Sequence, residues 1–294
     1  MEKLQNFIDG KYISPKNESY FDNYEPGTGK VYSLIPDSDS EDVELAVKAA
    51  EKAFPIWSSM SLEERSKILV KISEGIEKRM DEFVAAESRD NGKPLHLAAQ
   101  VDIPRSVSNF HFFATAILHF ASESHYMEGT GINYTTRKPI GLVGCISPWN
   151  LPLYLFSWKI APALAAGNCV LAKPSEITPY TAFLLGKVAQ EAGLPDGVLN
   201  IVHGTGPKAG DAIVRHPKIK AISFTGGTQT GAYISGQAFG SLSEQEVIIN
   251  KRKRNKFFIY QNYNYFMQAS LAVSLTYLRG LKVSELEESD MPMV

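Results

Sequence analysis

Cysteine is scarce in this chain: 294 residues contain only Cys145 and Cys169, each inside an apolar run. That excludes a disulfide scaffold and fits a reducing compartment, so the expected address is the cytoplasm. An excess of one charge is missing too. The formal net charge is −2, so neither nucleic acid nor an anionic membrane surface is expected as a partner. No apolar stretch is long enough to cross a bilayer. The start, Met1-Glu2-Lys3-Leu4-Gln5-Asn6, has no signal-peptide core and is too acidic for a transit peptide. No metal site is expected. What remains is an ordinary globular composition, 44% hydrophobic and 21% charged, with length for one large or two modest domains.

Tyr, Gly, Pro and Asn dominate the first 36 residues, which read as short strands and turns, with a turn at Glu25-Pro26-Gly27-Thr28-Gly29. Helices are expected next. One spans Asp42 to Phe54 and is stopped by Pro55. Ser61 and Glu64 form a capping box for another, with Ile68, Ile72, Ile76 and Met80 as its apolar stripe. Asn91-Gly92-Lys93-Pro94 closes that region, and a further helix is expected over roughly 95–122.

From residue 139 short apolar runs alternate with helical stretches. Strands are expected at Ile140–Ile146, Cys169–Ala172, Val198–Val202 and Ala221–Phe224. Helices are expected between them, at Pro152–Ala166, Thr178–Glu191 and Pro207–Val214. This βαβ spacing predicts an α/β fold, a parallel sheet wrapped by helices with the N-terminal helices packed on it. The composition changes abruptly after Gly236. Residues 247–267 are mostly Phe, Tyr, Met, Ile, Asn and Lys, without periodicity, Gly or Pro. Residues 1–236 therefore form the expected folded region, and 237–294 a tail expected to be poorly ordered, with a short helix at Ser270–Arg279.

Three strand ends carry candidate chemistry. Asn150, in Ser147-Pro148-Trp149-Asn150, sits where parallel sheets present ligand-binding groups; it reads either as a turn residue or as a donor to a developing oxyanion. Lys173 and Glu176, in Lys173-Pro174-Ser175-Glu176, read either as a solvated ion pair or as contacts to ribose hydroxyls. Phe224-Thr225-Gly226-Gly227-Thr228 joins a strand to a helix, and is a tight turn or an anion site for pyrophosphate. Gly204-Thr205-Gly206 with Gly210 marks another such junction, but its spacing is not G-x-G-x-x-G. Lys251-Arg252-Lys253-Arg254 reads as solvated charge in preference to a nuclear-localisation or nucleic-acid patch.

Together, Ser-Pro-Trp-Asn, Ala-Ala-Gly-Asn, Lys-Pro-Ser-Glu, Gly-Leu-Pro-Asp-Gly-Val-Leu-Asn and Phe-Thr-Gly-Gly-Thr occur in the order and spacing of the aldehyde dehydrogenase superfamily. The resemblance runs from Phe7-Ile8-Asp9-Gly10 to about Gly236. It implies a Rossmann-like cofactor-binding sheet, NAD as cofactor, and oxidation of a small-molecule aldehyde to the carboxylate. By that resemblance Asn150 is the side-chain donor of the oxyanion hole. Ile146, Ser147, Pro148, Trp149, Lys173, Ser175, Glu176, Gly206, Gly210, Phe224, Thr225, Gly226 and Gly227 line the cofactor. Family members usually carry Ser or Thr where Gly227 stands. Asp102-Ile103-Pro104-Arg105-Ser106, with Asn109-Phe110 and Phe112-Phe113, looks like the subgroup acting on 2-aminomuconic and 2-hydroxymuconic semialdehydes. There Arg105 would bind a substrate carboxylate; the plainer reading is a helix-surface arginine. Tyr134 to Pro139 resembles part of the family's oligomerisation ribbon, which implies a homo- or hetero-oligomer.

The resemblance also implies what is missing. The family's general-base glutamate lies in Glu-Leu-Gly-Gly-Lys; the corresponding stretch here is Ser241-Leu242-Ser243-Glu244-Gln245-Glu246. The nucleophilic cysteine comes after it in the family, and no cysteine lies beyond Cys169 here. Both existing cysteines are expected to be inert core thiols. The chain is therefore expected to lack the catalytic domain, to be inactive as written, and to leave one sheet edge unpaired. The alternative reading is a non-catalytic NAD-binding or hetero-oligomerising subunit.

Overall fold

The first 36 residues form five short strands in the computed structural model, which describes residues 1–129, 131–240 and 257–260. These strands are β1 (Glu2–Lys3), β2 (Asn6–Ile8), β3 (Lys11–Ile13), β4 (Tyr20–Glu25) and β5 (Lys30–Pro36). Helix α1 (Ser40–Ser59) starts at a capping box of Asp39 and Asp42. It does not stop at Pro55, as composition predicted. Proline removes one hydrogen bond, but Trp57 is fully buried beyond it and donates through Nε1 to the Leu164 carbonyl at 3.1 Å. Tertiary burial carries the helix past its breaker.

Helix α2 (Leu62–Lys78) has the predicted Ser61–Glu64 box. Ile72 and Ile76 of its stripe are buried, but Met80 belongs to the next helix, α3 (Met80–Asn91), which ends at Gly92 with φ 79°. The long helix expected over 95–122 is broken up into α4 (Leu95–Leu97), a π turn (Ala98–Asp102), α5 (Ile103–Ala116) and a 3-10 turn ending at His119. A hairpin comes next, β6 (Ser124–Met127) with β7 (Gly131–Tyr134).

The alternating half then runs β8 (Leu142–Ile146), α6 (Pro152–Ala165), β9 (Cys169–Lys173), α7 (Tyr180–Glu191), β10 (Leu199–Ile201), a second π turn (Gly206–Gly210), α8 (Asp211–Arg215), β11 (Ile219–Phe224), α9 (Thr228–Gly240) and β12 (Phe257–Tyr260). The main sheet has the order β12-β11-β8-β9-β10-β2-β3. Its strands β8 to β12 are parallel, and β2 closes the far side antiparallel to β10, pairing Phe7 with Ile201. Every residue of β8 and β9 is buried, as a parallel sheet covered on both faces requires. Gly144 shows the tight fit on one face, where an added Cβ would lie 2.8 Å from Ile213 of α8. Its neighbour Cys145 points the other way, towards α6. Helices α2 and α5 pack on α6, so the N-terminal helices form an outer layer over the sheet.

The β11 edge was expected to be unpaired. It is paired instead: β12 runs parallel to it from Ala221↔Phe257 to Phe224↔Tyr260. Phe, Ile and Tyr are good strand formers, and an open edge offers a row of free backbone donors and acceptors. The stretch read as unorganised thus contributes one strand. Met1–Tyr260 is one compact unit, and Gln261–Val294 lies outside the described residues. Ser241–Glu246, the basic run Lys251–Arg254 and the helix expected at Ser270–Arg279 also lie outside them.

Candidate functional site

The C-terminal ends of β8, β9 and β11 meet at one edge of the sheet. The Ser147 amide donates to the Lys173 carbonyl and the Thr225 amide to the Ile146 carbonyl, each at 3.2 Å. Ile146, Ser147, Lys173, Phe224 and Thr225 are thereby held together, all buried. Ser147 Oγ is buried with no hydrogen-bond partner.

The loop from Pro148 to Leu151 leaves this edge. Trp149 is 53% exposed. Its carbonyl accepts from Asn91 Nδ2 at 2.8 Å and Thr178 Oγ1 at 3.4 Å, and the Asn150 carbonyl accepts from Lys93 Nζ at 3.3 Å. The backbone is pinned while the half-buried Asn150 carboxamide makes no hydrogen bond among the described residues. Helix α6 begins two residues later, at Pro152, and its positive end faces the same region.

At the end of β9, the Lys173 side chain is 2% exposed and donates to Glu176 Oε2 at 3.1 Å and to the Pro174 carbonyl at 3.0 Å. Burial pulls the Lys173 ammonium below its usual range. Burial pushes the Glu176 carboxyl up, but the Lys173 charge and the Gly206 amide outweigh it, and the group stays below the usual carboxylate range. Ser175 caps the turn, accepting from the Ile177 amide at 3.2 Å. A Cβ on Gly210 would touch Lys173 Cδ at 3.6 Å. Lys173, Glu176, Gly206 and Gly210 are therefore one cluster.

At the end of β11, a Cβ on Gly226 would fall 2.5 Å from Phe224 Cζ, so a larger residue there would have to displace that ring; Gly227 has open space. Arg105 is exposed on α5 and lies against the first turn of α6. Its Nε is 3.4 Å from Tyr154 Oη, and its guanidinium is 5.7 Å from that ring. It makes no ion pair among the described residues. This brings Arg105 to the same end of α6 as Asn150, and away from the Lys173–Glu176 cluster.

Three buried ionisable groups near these strand ends escaped the sequence reading. Lys159, on buried α6, donates to Thr225 Oγ1, tying that helix to the Gly226-Gly227 turn. Burial lowers its ammonium to about 8. A lysine inside the apolar run 152–166 was the available signal. His203 is buried with both ring nitrogens unpartnered, and burial, aided by the Lys173 charge, lowers it to about 3. Glu87 is buried against the first turn of α6 and accepts weakly from the Leu153 amide at 3.4 Å; burial pushes it up to about 8. No sequence signal marked either of the last two. The thiols of Cys145 and Cys169 are pushed up to about 12 by burial, leaving almost no thiolate at neutral pH.

The model of the aldehyde dehydrogenase family matches residues 12–265, reaching past the compositional boundary at Gly236. Human 2-aminomuconic semialdehyde dehydrogenase is 54% identical over 79% of this chain and 47% of its own length. The 2-hydroxymuconic semialdehyde dehydrogenase of Pseudomonas sp. strain CF600 is 45% identical over 80% of the chain and 49% of its length. A solved NAD+ complex of a Bacillus cereus aldehyde dehydrogenase superposes with a TM-score of 0.80 at 36% identity, covering 88% of this chain and 51% of that one. The chain spans about half the length of the curated relatives it matches.

Proposed function

The chain belongs to the aldehyde dehydrogenase family, and from that premise we propose that it carries the cofactor half of an NAD-dependent oxidation of an aldehyde to its carboxylate. The observation that carries this reading is the Lys173–Glu176 pair at 3.1 Å, with Glu176 held ionised at the end of a parallel strand. A fixed carboxylate there suits two adjacent ribose hydroxyls. The start of α9, behind Gly226-Gly227, suits the pyrophosphate. The donor set thus fits NAD, which when bound accepts hydride from the substrate carbon.

The chain's own residues then have distinct tasks. Glu176 accepts from ribose hydroxyls, and Lys173 keeps it charged and aimed. Ile146 to Trp149, with Phe224 and Thr225, wall the crevice. Asn150 donates its carboxamide to the oxygen that gains charge as the carbonyl is attacked. The aldehyde is proposed to be a 2-aminomuconate-type semialdehyde, after the names of the relatives. Arg105 would pair with its carboxylate, a planar match that suits a guanidinium. With both cysteines buried and near pKa 12, this 294-residue chain by itself is proposed not to turn over aldehyde.

Calorimetric titration of the full chain with NAD and with NADP tests the cofactor reading. NAD should bind, and NADP should bind more weakly because Glu176 repels a 2′-phosphate. Absence of any NAD binding overturns it. Formation of NADH from an aldehyde overturns the proposed inactivity.

A second reading, a non-catalytic subunit that binds NAD or joins another chain, is favoured by the β6–β7 hairpin. Tyr126, Ile132 and Tyr134 are 77%, 69% and 67% exposed on it, an apolar surface of the kind partners cover. We propose self-association or hetero-association through it, with no nucleic-acid or membrane partner, in the cytoplasm.

A further inference from the structure

The 149–150 backbone is held from outside the sheet. Asn91, at the last turn of α3, takes the Trp149 carbonyl at 2.8 Å, and Lys93 takes that of Asn150 at 3.3 Å. Lys93 is in turn fixed by Asp102 at 2.7 Å, their side chains 12% and 3% exposed. An ion pair so withdrawn from water holds its geometry far better than a surface pair. Asp102 reaches Lys93 from the final residue of the π turn, where the Ile103 amide bonds back to the Ala98 carbonyl. The extra residue of a π turn rotates the next turn of chain relative to a regular helix, and such turns gather at functional sites. Here the residue so placed is an almost fully buried carboxylate beside the only lysine that touches the Asn150 backbone among the described residues. The Ser88 hydroxyl, donating to the Lys93 carbonyl at 2.6 Å, fixes the segment's other side.

We propose that Asn91, Lys93 and Asp102 form a clamp that positions Asn150, with Lys93 the central positioning residue. With the Asn150 backbone carbonyl held by Lys93, the loop is fixed while the carboxamide keeps its hydrogen-bonding groups unspent among the described residues. That Asn150 then serves an oxyanion rests on the proposed function; the clamp itself does not.

Hydrogen exchange read by mass spectrometry on the full chain tests this, comparing a peptide over 147–156 with one over 199–203. Lys93→Met and Asp102→Asn should each speed exchange in the first about tenfold and leave the second unchanged. Lys93→Arg, which keeps the charge and donors, should stay within about twofold of the parent. Unchanged exchange in Lys93→Met overturns the clamp, and so does a rise shared equally by both peptides. Should Lys93→Met fail to fold, Asn91→Ala decides: a local rise of about threefold supports the clamp and no rise overturns it. Neither cofactor nor aldehyde enters the measurement, so its failure is separate from failure to bind NAD.

Discussion

At Glu87 and His203 the fold withdraws two titratable groups from water, with opposite consequences for pH. Glu87 is raised by burial to about 8 in the folded chain from 4.5. Between those values the folded form keeps a proton that the unfolded form has released, so this group makes stability fall as pH rises from about 4.5 through 8. Asp90, raised by burial to about 6 from 3.8, adds to that fall at the lower end. His203 is lowered by burial to about 3 from 6.5 and makes stability fall as pH drops from 6.5 towards 3. Urea midpoints across pH should therefore show both limbs. Glu87→Gln should flatten the rising-pH limb, by an amount on the order of a few kcal/mol. His203→Leu should flatten the acid limb and leave the other. If either variant keeps the parent's profile, the corresponding burial argument fails. At Glu176 the expectation is functional: Glu176→Gln should weaken NAD binding while narrowing the preference over NADP, as read by calorimetry. The sequence disclosed Glu176 and Lys173 because they stand at a strand end. It concealed Glu87 and His203, since nothing local marks a polar residue whose surroundings arrive from distant segments.

Among the elements, the alternating half was the most legible, because a strand buried on both faces writes an unbroken apolar run and the helices after β8 and β9 end at a glycine. Gly167 and Gly193, expected as stops, take φ of 84° and 80°. The π turns at 98–102 and 206–210 were not legible, because one extra residue in a helix hardly disturbs an apolar stripe. Pro55 misled for a related reason: the breaker is local, whereas the Trp57 burial that overrides it is not. Gly197 shows what a motif glycine is for. It joins α7 to β10 with φ 83°, and an added Cβ would lie 2.5 Å from the Ala49 carbonyl oxygen of α1. Gly197→Ala should cost about 1–3 kcal/mol from backbone strain, with the clash adding to it. Thermal melting is the check, and an unchanged midpoint would show that α1 can give way at that contact.

For the whole molecule, the parallel sheet and the placing of Asn150, Lys173 and Gly226 at strand ends came from βαβ spacing, whereas the order of the strands did not. Arg105 was different: its place beside Tyr154 depends on how α5 packs on α6, which no spacing reveals. The exposed β6–β7 hairpin sets the expectation for assembly. Sedimentation of the full chain should show association, and replacing Tyr126, Ile132 and Tyr134 with Ser should reduce it; a parent chain that stays monomeric at high concentration overturns that expectation. The β2–β10 pairing carries a consequence of its own. Phe7 is matched to Ile201, the Asp9 amide bonds to Asn200 Oδ1 at 3.1 Å, and the His203 amide bonds to Asn6 Oδ1 at 2.9 Å. Strand β2 thus waits for β8, β9 and β10 to be made. At synthesis rates of about 5–20 residues per second, that delay is about 10–40 s. Through that interval Phe7 and Ile8, both buried at the end, have only β3 to pair with, so on the ribosome a strand made early settles on its sheet late.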